Sequence, residues 1–253
     1  MQWAIAEQVS VIIIAGGKGK DALAASTGAA HHCLIEIGGR SILSRMVEAF
    51  QGAEAAEIIV VGAPEVLKAL PAGARGIEAA GSATENISLG LQAASREWVI
   101  ASPSDIPWLT AEGAREFLSC AFKTGADMVY PIISKEIYEA RYPVGRRTYV
   151  SLREGTFTGG NMVLARKSFL ENLLPLVHRL FEYRKNPLLL ARALGVGFVL
   201  RMLLHRLDIA SIEARALQLT GGRAVALPIA RPELAFDVDK AEDLEAACRV
   251  ARG

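Results

Sequence analysis

Along the first half of the chain, short unbroken apolar runs alternate with longer stretches in which apolar residues return every three or four positions. The runs are 10–15 (SVIIIA), 57–62 (EIIVVG) and 97–101 (EWVIA), with a weaker one at 76–79. Runs this short, rich in β-branched side chains and bounded by glycine or polar residues, predict strands covered on both faces. Between them Ile42, Leu43, Met46, Val47 and Phe50 share a helical face behind Ser41, whose hydroxyl suits an N-cap. A second helix starts near Thr84 and carries Ile87, Leu89, Leu91 and Ala94. A third begins at Thr110, places Phe117, Leu118, Ala121 and Phe122 on one side, and runs to about Lys123; Gly125 stops it ahead of a short strand over 127–131. Strand and helix in alternation predict an α/β fold with a mostly parallel sheet flanked by helices. Ligands of such sheets gather beyond the carboxyl ends of the strands.

The second half is patterned differently. A strand is expected over 150–153, then a turn at Glu154-Gly155 and the segment 156–161. From 167 to 221 the chain turns helical and leucine-rich, and is read as a helical subdomain inside a single domain spanning 1–253. Its most apolar part, 188–204, is interrupted by Arg192 and Arg201 and broken by Gly195 and Gly197, so it falls short of the roughly 20 apolar residues that a membrane span requires. Packing against the sheet or in a homodimer is the favoured role. A membrane face or greasy pocket for a lipid-linked acceptor, with Arg184, Lys185, Arg201 and Arg206 near headgroups, is the less favoured one. Near the end, 236–239 (FDVD) alternates, which turns Asp237 and Asp239 the same way if the segment is extended, and a helix over 240–251 follows.

Composition narrows the function. The 253 residues are 51% hydrophobic and 22% charged with a net charge of +1, as in ordinary globular proteins and without the basic field of a nucleic-acid-binding protein. Cys33, Cys120 and Cys248 are scattered with no C-x-x-C, which argues against a disulfide framework or a zinc site. The start, Met1-Gln-Trp-Ala, has no basic segment followed by an apolar run, and the expected location is cytoplasmic.

The first strand opens onto Gly16-Gly17-Lys18-Gly19. Glycines let backbone N–H groups approach an anion closely, and Lys18 and Lys20 add positive charge, so this reads as a phosphate loop. It fits neither G-x-G-x-x-G leading into a helix nor G-x-x-x-x-G-K-[ST], because some twenty small and polar residues separate it from the helix behind Ser41. Asp105 stands just past the strand at 98–101, within Ser102-Pro-Ser-Asp-Ile-Pro107. Nucleotide-bound Mg²⁺ takes one or two carboxylates besides phosphate oxygens, so Asp105 with one of the terminal aspartates would suffice. The plainer alternative is that Asp105 caps a turn and one of that pair caps the last helix. Arg146 and Arg147 could grip an acceptor phosphate by paired hydrogen bonds, or simply face solvent.

Five segments occur in an order that resembles the MobA-like nucleotidyltransferases: Ala15-Gly-Gly-x-Gly19, Asn86-Ile-Ser-Leu-Gly-Leu91, Ser104-Asp-Ile-Pro107, Thr158-Gly-Gly-Asn161 and Asp237-Val-Asp-Lys-Ala-Glu-Asp-Leu244. The resemblance implies a GT-A-like sheet and Mg²⁺-dependent transfer of NMP from an NTP to a small phosphorylated acceptor, releasing pyrophosphate. It further implies that Ala15, Gly16, Gly17, Lys18 and Gly19 wrap the triphosphate and that Gly81 and Asn86 border the base. Asp105 and Asp239 would hold the metal, and Asn161 would face the acceptor or the phosphates. The chain departs from the pattern at two basic positions, where it has Asp21 and His32. Lys18 and Lys20, or His32 when protonated, would have to supply the missing positive charge. Two other functions share the fold: a nucleotide-binding or regulatory protein without turnover, and a sugar transferase. Pyrophosphate release from an NTP separates the first from both.

Overall fold

The computed structural model describes residues 6–16, 22–143, 147–183 and 186–251. In chain order they form β1 (Val9–Ala15), α1 (Ala22–Thr27), β2 (Glu36–Ile37), β3 (Arg40–Ser41), α2 (Ile42–Gly52), β4 (Glu57–Gly62), α3 (Pro64–Lys68), β5 (Arg75–Glu78), α4 (Ala83–Ala93), β6 (Trp98–Pro103) and α5 (Ala111–Lys123). There follow β7 (Met128–Ser134), α6 (Lys135–Arg141), β8 (Val150–Leu152), β9 (Gly155–Gly159), β10 (Val163–Arg166), α7 (Lys167–Tyr183), α8 (Pro187–Leu194), α9 (Val196–Leu203), α10 (Ile209–Thr220), β11 (Ala224–Pro228) and α11 (Ala241–Ala251).

One large sheet has the order β5-β4-β1-β6-β10-β7-β9-β8, with β11 also paired to β7. The long ladders, β1 to β4 and β1 to β6, are parallel over six residues each. Around β7 the sheet is mixed: β9 and β10 run antiparallel to it and β11 parallel. The fold is therefore α/β with a mixed, mostly parallel sheet. Because β1 is flanked by β4 on one side and β6 on the other, the chain leaves it in opposite directions, which opens a crevice at the carboxyl ends of these strands.

Burial of β1 on both faces explains its unbroken apolar run. Val11 and Ile13 join the core under α2 and α5, where Phe50 and Phe117 are fully buried. Ile12 joins a second cluster with Ile59, Val61, Val99 and Leu91 of α4. Ser41 does cap α2, accepting from the Ser44 N–H at 3.1 Å.

Several expectations shift. The stretch after the glycines, read as lacking a helix, contains α1; six residues of sequence ALAAST are too short to show a periodic face. β7 continues past 131 to Ser134, and β8 stops at Leu152. Segment 236–239 belongs to no strand. Its alternation survives, with Phe236 and Val238 buried and Asp239 exposed. Helices α7 to α10 occupy much of 167–221, yet Leu200, Leu203 and Leu204 are more than half exposed. None of the described helices is long and apolar enough to cross a membrane.

Candidate active site

The crevice begins where β1 ends. Gly16 follows the buried Ala15, and a Cβ on it would come within 2.6 Å of Asn86 Nδ2 and 2.5 Å of Ala79 Cβ, so only glycine fits. Asn86 is buried on α4 and uses both ends of its amide: Nδ2 donates to the Gly16 carbonyl (3.4 Å) and Oδ1 accepts from the Ala80 N–H (3.0 Å). Expected beside a nucleotide base, Asn86 ties the end of β1 to the loop before α4. That loop contains Gly81, against which the Glu85 carboxylate lies. Glu85 accepts from the Ser82 N–H (2.6 Å) while the Ser82 hydroxyl accepts from the Glu85 N–H, a reciprocal cap that starts α4 at this edge of the crevice. Gly17, Lys18 and Gly19, with Lys20 and Asp21, lie outside the described residues.

Across the crevice, Asp105 sits two residues past β6. Asp105, Asp237 and Asp239 each present a carboxylate oxygen, and these oxygens lie within 4.8 Å of one another. The backbone of Val238 holds the pair in place: its N–H donates to the Asp105 carbonyl (3.1 Å), and its own carbonyl faces His32 Nε2. A carbonyl only accepts, so Nε2 carries the proton in this contact. His32, expected as a source of positive charge, thus also clasps the segment that bears the terminal aspartates. Asp243, on the first turn of α11, accepts from the backbone N–H groups of Asp239 (3.2 Å) and Lys240 (2.9 Å). The Asp243 carboxylate thus reaches back from the first turn to the backbone just before the helix, and among the described residues neither Asp237 nor Asp239 accepts from an N–H of that turn.

The three carboxylates are not equivalent. Asp237 pairs with Arg147. The Asp239 carboxylate has no hydrogen-bond partner among the described residues. Asp105 Oδ1 is buried and has none either. Burial, reinforced by repulsion from Asp239, pushes the Asp105 carboxyl up to about 6, against the opposing pull of His32 and Arg147. Three clustered carboxylate oxygens, one of them buried and unsatisfied, fit a hard divalent cation, which would supply the missing partner.

The far side of the site is built from β7 to β10. Arg147 is largely enclosed there. Besides Asp237, it donates to the Gly159 carbonyl (3.0 Å), Thr158 Oγ1 (3.3 Å) and Asn161 Oδ1 (3.5 Å), and its guanidinium lies 5.5 Å from the Tyr138 ring centroid. Most of its donors are thus engaged within the protein, although an acceptor-phosphate contact was expected of it. Arg146 lies outside the described residues. Asn161, in the break between β9 and β10, is held at its backbone by the Leu234 carbonyl (2.8 Å), and its Nδ2 is buried without a partner. The residue before it but one, Gly159, must lack a side chain because the Tyr130 phenol lies where a Cβ would be.

Beside the carboxylates opens a cavity of about 640 Å³ whose walls include Tyr130, Tyr138, Phe157, Arg147 and Asn161. The aromatic wall has no motif in the sequence. Its one local signal is the Gly159-Gly160 pair, whose glycines are required by the side chains of Tyr130 and Pro131.

Comparison with known proteins gives this geometry its context. No curated protein matches the chain in sequence. A solved structure described as a hypothetical transferase from Thermus thermophilus is 40% identical over 94% of this chain and 99% of its own, with a TM-score of 0.84. The 2-C-methyl-D-erythritol 4-phosphate cytidylyltransferase of Thermus thermophilus shares the fold at 19% identity, 97% and 100% coverage and a TM-score of 0.57. So does a CMP:2-keto-3-deoxy-manno-octonic acid synthetase solved with CTP, at 16% identity, 97% and 98% coverage and a TM-score of 0.62. The MobA-like NTP transferase domain matches residues 11–194, from the first strand through the acidic loop and both sides of the crevice. The chain belongs to the MobA-like NTP transferase domain family and is a nucleotidyltransferase.

Proposed function

We propose that the protein transfers NMP from an NTP to a phosphorylated acceptor with the help of Mg²⁺. The observation that carries this reading is the unpartnered, buried Asp105 Oδ1 within a carboxylate cluster whose Asp237 and Asp239 line the cavity beside Arg147. An acceptor phosphate oxygen bonds to the α-phosphorus as the bond from that phosphorus to the bridging oxygen breaks, and pyrophosphate departs with the electron pair. Asp105 and Asp239 would hold the metal, with Asp237 close by but engaged by Arg147. When bound, Mg²⁺ neutralises charge on the phosphate oxygens.

The residues of the chain supply the positioning. Ala15 and Gly16, with Gly17, Lys18 and Gly19 of the same loop, are proposed to hold the triphosphate; Gly81 and Asn86 shape the adjoining edge. Asn161 offers its unpaired Nδ2 to the acceptor side. His32 keeps Asp237 and Asp239 in register through Val238. The test is pyrophosphate release from each of the four NTPs with a panel of phosphate monoesters and Mg²⁺. Release that depends on both acceptor and Mg²⁺ is expected. Tight Mg²⁺–NTP binding with no release would favour a nucleotide-binding protein without turnover, the reading to which Asp21 and the clasped His32 lend weight.

A further inference from the structure

Helix α9 turns its apolar side outward. Val196, Leu200, Leu203 and, at the end of the helix, Leu204 fall within about a third of its circumference, and all four are more than half exposed. On a globular protein such a stripe ordinarily faces the core. Met202 and, on α8, Leu189 add further exposed apolar surface. The helix is nonetheless tied to its neighbour: Arg201 donates to Ser211 Oγ of α10 (2.8 Å), and Arg215 of α10 donates to the carbonyls of Leu194 (2.7 Å) and Ala193 (3.4 Å) just before α9.

Charge is distributed as unevenly. From 183 to 207 the chain holds Arg184, Lys185, Arg192, Arg201 and Arg206 and no aspartate or glutamate, whereas the whole chain is only +1, so the remainder is net acidic. Arg192 and Arg206 are exposed and have no ion pair among the described residues. The next carboxylate, Asp208, is already engaged, accepting from the Ser211 N–H (2.8 Å) and pairing with Arg153 and Arg201.

Together these features choose between occupants. A second copy laid face to face on α9 would set arginine against arginine, which opposes the contact. Exposed leucines beside unpaired arginines match instead the boundary of an anionic bilayer, where acyl chains take the apolar side chains and headgroup phosphates take the guanidinium groups. None of the described helices is long and apolar enough to cross a bilayer, so the contact is with its surface. We infer that α9 and its flanking arginines dock the protein on an anionic lipid surface, with Val196, Leu200, Leu203 and Leu204 at the boundary between headgroups and acyl chains. This goes beyond the transfer reaction and does not depend on it.

The test is flotation of the full chain with vesicles of phosphatidylcholine alone, and of phosphatidylcholine with phosphatidylglycerol in about equal parts, at about 0.1 M salt. Affinity for the anionic vesicles should be higher by about tenfold or more, and raising salt to about 1 M should remove most of that difference. Leu200→Asp combined with Leu203→Asp should weaken binding to the anionic vesicles by about a hundredfold, and Arg192→Gln combined with Arg206→Gln by about twentyfold. All four positions are exposed, so thermal unfolding should be unchanged; Leu203→Ser alone, at the most exposed of the four leucine-stripe positions, serves if the double leucine variant does not fold. No binding to either composition, equal binding to both, or binding that the leucine and arginine variants leave unchanged overturns the inference. So does a wild-type dimer in sedimentation that the double leucine variant splits, because a second copy would then cover this face.

Discussion

Replacing Asp105 by asparagine should make the metal-free protein more stable while disabling it. The carboxyl stands at about 6 against an ordinary 3.8, because ionising it strands charge at a buried position next to Asp239. That difference corresponds to about 3 kcal/mol of destabilisation once the group is ionised. The sign follows from proton binding. Between about pH 4 and pH 6 the native state holds the Asp105 proton more tightly than the unfolded chain does, so raising pH through this window lowers stability, and above it the full penalty remains. Asparagine is nearly isosteric and cannot ionise. At pH 8 in EDTA, Asp105→Asn should gain up to about 3 kcal/mol, or roughly 6–12 °C in Tm, and its Tm should lack the wild type's decline between pH 4 and 6. With Mg²⁺ and NTP the order should reverse, because the wild type gains ligand stabilisation that the variant has lost, and pyrophosphate release should fall by more than about a hundredfold. Thermal unfolding followed by circular dichroism across pH, with and without Mg²⁺, reads all of this. A variant no more stable than wild type at pH 8 in EDTA, or one that Mg²⁺–NTP stabilises equally, would refute the assignment of Asp105 as a buried, strained metal ligand.

Other positions make separate tests. Asn86→Ala leaves the Ala80 N–H without its partner and releases the Gly16 carbonyl, so it should cost about 1–3 kcal/mol in urea unfolding and weaken the thermal shift given by NTP; an unchanged midpoint would show that the contact holds nothing. His32→Ala frees the Val238 carbonyl and should weaken Mg²⁺-dependent NTP binding, whereas His32→Gln, which keeps a donor, should recover part of it; equal losses in both would point to charge at position 32 instead. Leu200→Asp should leave unfolding within about 0.5 kcal/mol of wild type because the side chain is 53% exposed, and sedimentation of the variant shows whether that face joins two copies; a loss of several kcal/mol would place Leu200 in a core after all.

The parallel half of the fold was legible because its signals are local. The run around Ile12 and Ile13 is apolar throughout since both faces of β1 are covered, and Ser41 announces α2 by a hydrogen bond three residues long. Asp105 could be singled out from its position just past a buried strand, and the alternation of 236–239 already separated the two aspartates from Phe236 and Val238. Short or packing-dependent elements left weaker traces. α1 has too few residues for a periodic face, and the pairing of β9 and β10 with β7 depends on ladders between distant segments. The same holds for the site. Which aspartate pairs with Arg147, which reaches back to the backbone before α11 and which stays unpartnered is settled by contacts across as many as 90 residues, as between Arg147 and Asp237. Asn86 and His32 carry polar side chains suited to ligands, yet their partners are the backbone of Ala80, Gly16 and Val238, groups that every sequence contains and none advertises. Composition and periodicity report how each residue relates to its neighbours in the chain and to water; the partner of a buried polar atom is fixed only when remote segments meet.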